Sequence, residues 1–121
     1  MEIVYTKHLV SASSTVDETR YMPTYRKLTL KRILLVPNET TAADGSHYLT
    51  LTVTNGSTTL ATRTTASAAL TAGTVEALTL VATVDLDFSD LGAIKVVKTH
   101  TGSGAVCDVE FAFEFDARRD A

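Results

Sequence analysis

The stretch KTHTGSGAVCDVEFAFEFD, residues 98–116, decides how the chain is read. It holds a Gly-Ser-Gly turn, the only cysteine, and phenylalanines at every second position. Val109, Phe111, Phe113 and Phe115 fall on one face of an extended chain, with Cys107 in the same register. Asp108, Glu110, Glu114 and Asp116 fall on the other. Strict alternation of this kind is the pattern of a half-buried β-strand. The turn before it makes the segment the last hairpin of an all-β fold. The acids on the outer face read as protection of a sheet edge.

The same period runs upstream. In YLTLTVTNG, residues 48–56, Leu49, Leu51 and Val53 share a face, and Asn55-Gly56 supplies a tight hairpin turn. TTLATRTT then returns antiparallel. In YRKLTLKRILLVP, Leu28 and Leu30 share a face, but the register then points Arg32 inward and Ile33 outward. That conflict predicts a β-bulge near Lys31-Arg32. Pro37, which has no N–H for the ladder, ends the strand. PNETTAADGSH is a loop by composition. TVEALTLVATVDLDF reads as one further strand with Leu78 and Leu80 inward, and GAIKVVK as a short apolar one. The expected core is Leu28, Leu30, Leu49, Leu51, Val53, Leu78, Leu80, Val109, Phe111, Phe113 and Phe115.

Two segments fit this pattern less well. Residues 11–24 carry a capping signal, Ser14 three residues before Asp17, and suit a short helix or an extended arm. Residues 64–74 suit a loop or one helical turn. The resulting fold class is all-β, an antiparallel β-sandwich or jelly roll with a short N-terminal arm. The organisation is an N-terminal arm or first edge strand over 1–25 and a β-sandwich domain over 26–121.

Composition narrows the function. The 121 residues form one domain of 13.0 kDa, large enough for a core without staples. The net charge of −3 and pI of about 5.5 give no drive towards phosphate backbones or anionic membranes. Neither a nucleic-acid nor a membrane partner is expected, and Lys27, Lys31 and Arg32 are the notable basic cluster. One cysteine allows no intrachain disulfide. MEIVYTKHLV has no apolar run of signal-peptide type, and synthesis in a reducing cytoplasm is expected. The sequons at Asn38 and Asn55 then read as turn chemistry.

Each candidate for chemistry has a simpler reading. Cys107 with His100 is the obvious nucleophile–base pair, but a thiol among phenylalanines is inert. Asp85, Asp87 and Asp90 gather oxygens that suit a weak cation, without EF-hand spacing. His8, His47 and His100 lack the spacing of a shared metal. Gly102-Ser103-Gly104 resembles part of a phosphate loop, but no helix follows to complete it. Tyr5, Tyr21, Tyr25 and Tyr48 are the aromatics left for a sugar platform. No catalytic, cofactor-binding or metal-ligating residues are assigned, no cofactor is expected, and the chain is not read as an enzyme.

With the strands laid out, the chain resembles the small jelly-roll capsid decoration (cement) proteins of tailed bacteriophages. LTLKRILLVPNETTAADGSHYLTLTVTNG (28–56) is similar to the family's opening pair of strands. LTAGTVEALTL (70–80) is similar to its middle strand, and VVKTHTGSGAVCDVEFAFEF (96–115) to its closing hairpin. Where members often carry an Ala-Gly-Asp turn, this chain has Ser89-Asp90-Leu91-Gly92-Ala93. The resemblance covers residues 26–116. It implies a virion structural protein on the capsid surface, binding the major capsid protein from outside and stabilising the head. It also implies self-association, in the family often as a trimer. The alternative is a carbohydrate- or receptor-binding jelly-roll module of a phage tail or fibre.

Overall fold

Alternating apolar residues and turn chemistry place most of the nine strands found among the described residues. In the computed structural model, residues 2–9, 17–24, 26–82, 84–89, 91–103 and 107–117 are described. The strands are β1 (Glu2–Leu9), β2 (Glu18–Pro23), β3 (Leu28–Pro37), β4 (Tyr48–Thr54), β5 (Thr59–Thr64), β6 (Glu76–Leu78), β7 (Asp87–Phe88), β8 (Ala93–Thr101) and β9 (Val109–Ala117). No helix occurs among the described residues.

The strands form two antiparallel sheets. The first has the order β1-β9-β3-β6, with β7 also on β3. The second has the order β2-β8-β4-β5. Setting the two-residue β7 aside, the pairs β1–β9, β2–β8, β3–β6 and β4–β5 are nested. First strand meets last, second meets next to last, and so inward to the β4–β5 hairpin. That is a long hairpin rolled into a sandwich, the jelly-roll connectivity. The β3–β9 and β4–β8 pairs close the two sheets.

The inner faces hold the core. Leu28, Leu30, Leu49, Leu51, Val53, Leu78, Val109, Phe111, Phe113 and Phe115 are buried as the alternation predicts. Leu80 is half-buried and packs against this cluster. Phe111 stacks on Phe113 with ring centroids 5.9 Å apart. Phe88 meets Phe115 edge-on at 6.0 Å.

Local chemistry is legible in several turns. The register of β3 against β9 shifts between Leu30 and Arg32. Lys31 and Arg32 both stay exposed, and Ile33 returns to the core. The predicted bulge is therefore where the polar pair interrupts the apolar alternation. At the β4–β5 hairpin, Asn55 Oδ1 accepts from Ser57 N and Thr58 N, and Gly56 takes φ +105°. β3 ends at Pro37.

Other expectations are corrected. Residues 98–116 are not a hairpin. β8 lies in the second sheet and β9 in the first, so the Gly-Ser-Gly segment carries the chain between sheets. The same holds for β3 and β4. Turn residues dictate that the chain reverses, not which sheet it then joins. β9 is not an edge either, since it lies between β1 and β3. Its acids pair across strands instead: Glu114 with Arg32, and Asp116 Oδ2 with Lys31 Nζ at 3.4 Å.

The single strand expected over residues 74–88 is two short ones, β6 and β7, on the same edge of β3. The chain leaves the ladder between them beside the β3 bulge. There Leu30 N donates to Leu86 O at 2.9 Å, and Val81 N donates to Leu60 O of the other sheet at 2.8 Å.

The N-terminal segment, expected as an arm or first edge strand, carries two strands. β1 pairs with β9 along its whole length, and β2 pairs with β8 from Glu18 to Pro23. Each is the edge of one sheet. The capping residue Ser14 lies outside the described residues, and Glu18–Pro23 is strand rather than helix. Residues 65–75 form a loop with one bridge, Thr41 to Leu70. Arg63 clamps it, donating to Ala68 O, Ala69 O and the Glu76 carboxylate.

Candidate functional site

The inward alternation of β8 runs Ile94, Val96, Lys98, and the last of these is a lysine with no exposed surface. A charge inside a sandwich is costly unless paired. Register supplies the partner, because Glu18 stands directly opposite Lys98 on β2. Lys98 Nζ lies 2.6 Å from Glu18 Oε1, and Arg20 Nη2 holds Glu18 Oε2 at 3.1 Å. Among the described residues neither Lys98 Nζ nor Glu18 Oε1 has an aligned hydrogen bond, so the contact is Coulombic. His100 continues the row. Its side chain is 4% exposed, and Nδ1 lies 3.1 Å from Asp17 Oδ1, which also accepts from His100 N at 2.9 Å. Four ionisable side chains thus fasten the edge strand β2 and the residue before it to β8.

Cys107 sits nearby on the inner side, fully buried. Burial pushes its thiol pKa up, against a hydrogen bond with the Thr41 side chain that pulls it down; the Glu39 charge raises it further. Its Sγ faces Glu39 O at 3.4 Å. His100 engages Asp17 rather than the thiol, so the nucleophile–base pair is not assembled. We expect Cys107 to react with a thiol reagent far more slowly in the native protein than in denaturant, read by absorbance at pH 8. Comparable rates would place the thiol outside the core. The sign with pH follows from the raised value. Between the ordinary thiol value and the raised one the unfolded chain loses a proton that the folded chain keeps, so stability falls as pH rises through that window.

The crossing from β8 to β9 is held by His47. Its Nδ1 lies 2.9 Å from Ser103 N and 3.0 Å from Ser103 Oγ, and the backbone amide donates to it. Gly102 adopts φ +67°, and a Cβ there would overlap Ser46 O and crowd His47 Nδ1. Only glycine fits that close approach. Asp44 Oδ1 accepts from Ser46 N and His47 N, and these backbone bonds lower its pKa. Gly102-Ser103 is thus a strut against the loop of His47. Gly104 lies outside the described residues.

The acidic turn is likewise committed to local bonds. Asp85 Oδ1 accepts from Asp87 N at 2.9 Å, and Thr29 Oγ donates to Asp87 Oδ1 at 2.6 Å. Asp90 lies outside the described residues. No group of three or more His, Cys, Asp or Glu suited to a metal occurs among the described residues. Of the tyrosines, Tyr21 is 57% exposed with Lys95 Nζ 5.9 Å from its ring centre, and Tyr48 is half-buried. Tyr25 and the side chains of Tyr5 and His8 lie outside the described residues.

One surface was not read from the sequence. On the outer face of the first sheet, Leu34, Val36 and Ala112 line a shallow groove of about 250 Å³ with Val75 and Glu110. The run Ile33-Leu34-Leu35-Val36 supplies it, because four consecutive apolar residues on a strand clothe both faces. That run is the sequence signal of a second apolar face.

No known family model matches the chain, and no curated protein does. One solved structure with a similar chain is "Structure of infectious bursal disease virus Gx strain". The likeness covers 93% of this chain and 32% of that one, at 15% identity and a TM-score of 0.35. This chain therefore spans about a third of the chain it matches, and a likeness of that size carries no argument on function. No helix among the described residues is long and apolar enough to cross a membrane.

Proposed function

We propose that this chain is a virion structural protein that decorates the outside of a phage head and stabilises it. The observation that carries the reading is the nested eight-strand connectivity, a fold used by viral capsid domains as well as by lectins and cupins. It joins the resemblance of residues 26–116 to phage decoration proteins. The buried side of the fold is committed to packing and to the Lys98–Glu18 pair, and the outer face of the first sheet offers an apolar surface. Binding many equal sites needs such a complementary patch and no reacting group. A subunit that binds the mature shell in preference to its precursors stabilises that state by mass action.

The test is co-sedimentation of the full chain with mature capsids of the virus that encodes it, beside isolated shell subunits. Saturable binding to the assembled shell and weak binding to the subunits are expected, because the site exists where several subunits meet. Absence of binding to those capsids would overturn the reading and favour a carbohydrate- or receptor-binding module.

A further inference from the structure

The contact between Lys98 and Glu18 has a geometry that an ion pair alone does not explain. The two residues stand at directly opposed positions on β8 and β2. Lys98 has no exposed surface, and the Glu18 side chain is 8% exposed. Nζ lies 2.6 Å from Oε1, yet among the described residues neither atom has a hydrogen-bond partner. A buried ammonium normally aims its protons at acceptors, and a buried group left unsatisfied is costly.

The same placement brings a nucleophile to an electrophile. Oε1 is joined to Cδ by a bond of about 1.2 Å, so Nζ lies at most about 3.8 Å from the carboxyl carbon. Near-attack separations are about 3–3.5 Å. Facing strands hold the pair together, which raises the effective concentration of the amine at the carboxyl far above that in solution. Arg20 Nη2 donates to Oε2 at 3.1 Å. Oε2 is therefore the oxygen prepared to carry charge when the carbon becomes tetrahedral. Oε1, beside the ammonium, is the oxygen placed to leave.

The geometry points to a self-formed amide bond between Lys98 Nζ and Glu18 Cδ, which ties the edge strand β2 covalently to β8. The step balances within the pair. One ammonium proton passes to Oε1, which replaces two buried charges by two neutral groups. Nζ then attacks Cδ while Arg20 holds the oxyanion at Oε2. A second proton passes from Nζ to the Oε1 hydroxyl, the Cδ–Oε1 bond breaks, and one water leaves. Nζ keeps its last hydrogen as the amide N–H. No oxidant, metal or further reactant enters. The product is neutral, so the desolvation of two charges no longer opposes folding.

The bond forms after folding, because the fold is what sets Glu18 against Lys98. Freshly folded protein carries the ion pair, and aged protein carries the amide. The link closes a loop of about 80 residues, and restricting the unfolded chain over that span raises the urea midpoint. Midpoints read before the bond forms report the ion pair alone. The inference does not depend on the shell reading and is tested without capsids.

The experiment is denaturing mass spectrometry on the full chain, freshly folded and after a week at room temperature, with tryptic mapping. By the later time the parent protein should be lighter than its sequence by one water. Digestion should release a branched peptide that joins the Glu18 and Lys98 segments, with no cleavage after Lys98. Lys98→Met and the double variant Glu18→Leu/Lys98→Met should keep their full sequence masses. The double variant leaves no charge of the pair behind, so its fold is expected to persist, checked by circular dichroism. Arg20→Gln should form the bond at least ~10-fold more slowly. An unchanged rate there would overturn the part given to Arg20. A parent protein at its full sequence mass throughout, or a lost water that maps to any other residue, would overturn the cross-link itself.

Discussion

A chain beginning at Thr24 is expected not to fold cooperatively. The truncation removes β1 and β2, which form one edge of each sheet. It uncovers the ladder groups of β9 from Val109 to Asp116 and of β8 from Ala93 to Lys98. It removes the core residue Met22. It also removes Glu18 and so leaves Lys98 with no carboxylate at 2.6 Å. Stranding a buried charge costs about 3–5 kcal/mol by itself, against a total of about 5–15 kcal/mol for a domain. Far-UV circular dichroism with a urea titration checks this. A cooperative transition near the full-length midpoint would show that the sheets stand without their edge strands. The result also bears on particle binding. Lost binding by the truncated chain would report lost structure, so it cannot assign shell contact to the N-terminal residues.

The strands whose inner face is uniformly apolar were legible from the sequence. β4 and β9 alternate without a break, and their buried residues follow. The β3 bulge was legible because Lys31-Arg32 conflicts with the period. Sheet membership was not legible, because nothing local to Gly102-Ser103 says whether the chain folds back on β8 or crosses to the other sheet. The choice is made by long-range pairs such as Ile33 with Phe113 and Val53 with Val96. An edge strand was one of the two readings of residues 1–25, but β2 was not legible, for a related reason. Glu18-Thr19-Arg20-Tyr21 shows little apolar alternation, because its inner face carries the partner of a buried lysine. The lysine itself had a signal. Extending the Ile94, Val96 register by two residues puts Lys98 and then His100 inward. GAIKVVK, residues 92–98, ends on that inward lysine, whose charge its apolar neighbours mask in a reading by composition.

That buried pair should show a specific order of stabilities. Glu18→Ala is expected to be the most damaging single change at the site, by about 3–5 kcal/mol, because it strands the lysine in the core. Lys98→Met should cost less. Methionine approximates the length of the lysine stem, and Glu18 keeps Arg20 on its other oxygen, whose side chain is 47% exposed to water. The double variant Glu18→Leu/Lys98→Met removes both charges and fills the space with apolar atoms. It should lie near the parent protein or above it, by up to about 1–4 kcal/mol. The three values cannot be additive, since the residues stand opposite each other on adjacent strands. Urea midpoints at constant slope measure the order. If Glu18→Ala left the midpoint unchanged, Lys98 would have found water or another partner. The ion pair would then not be what holds β2 to the sandwich.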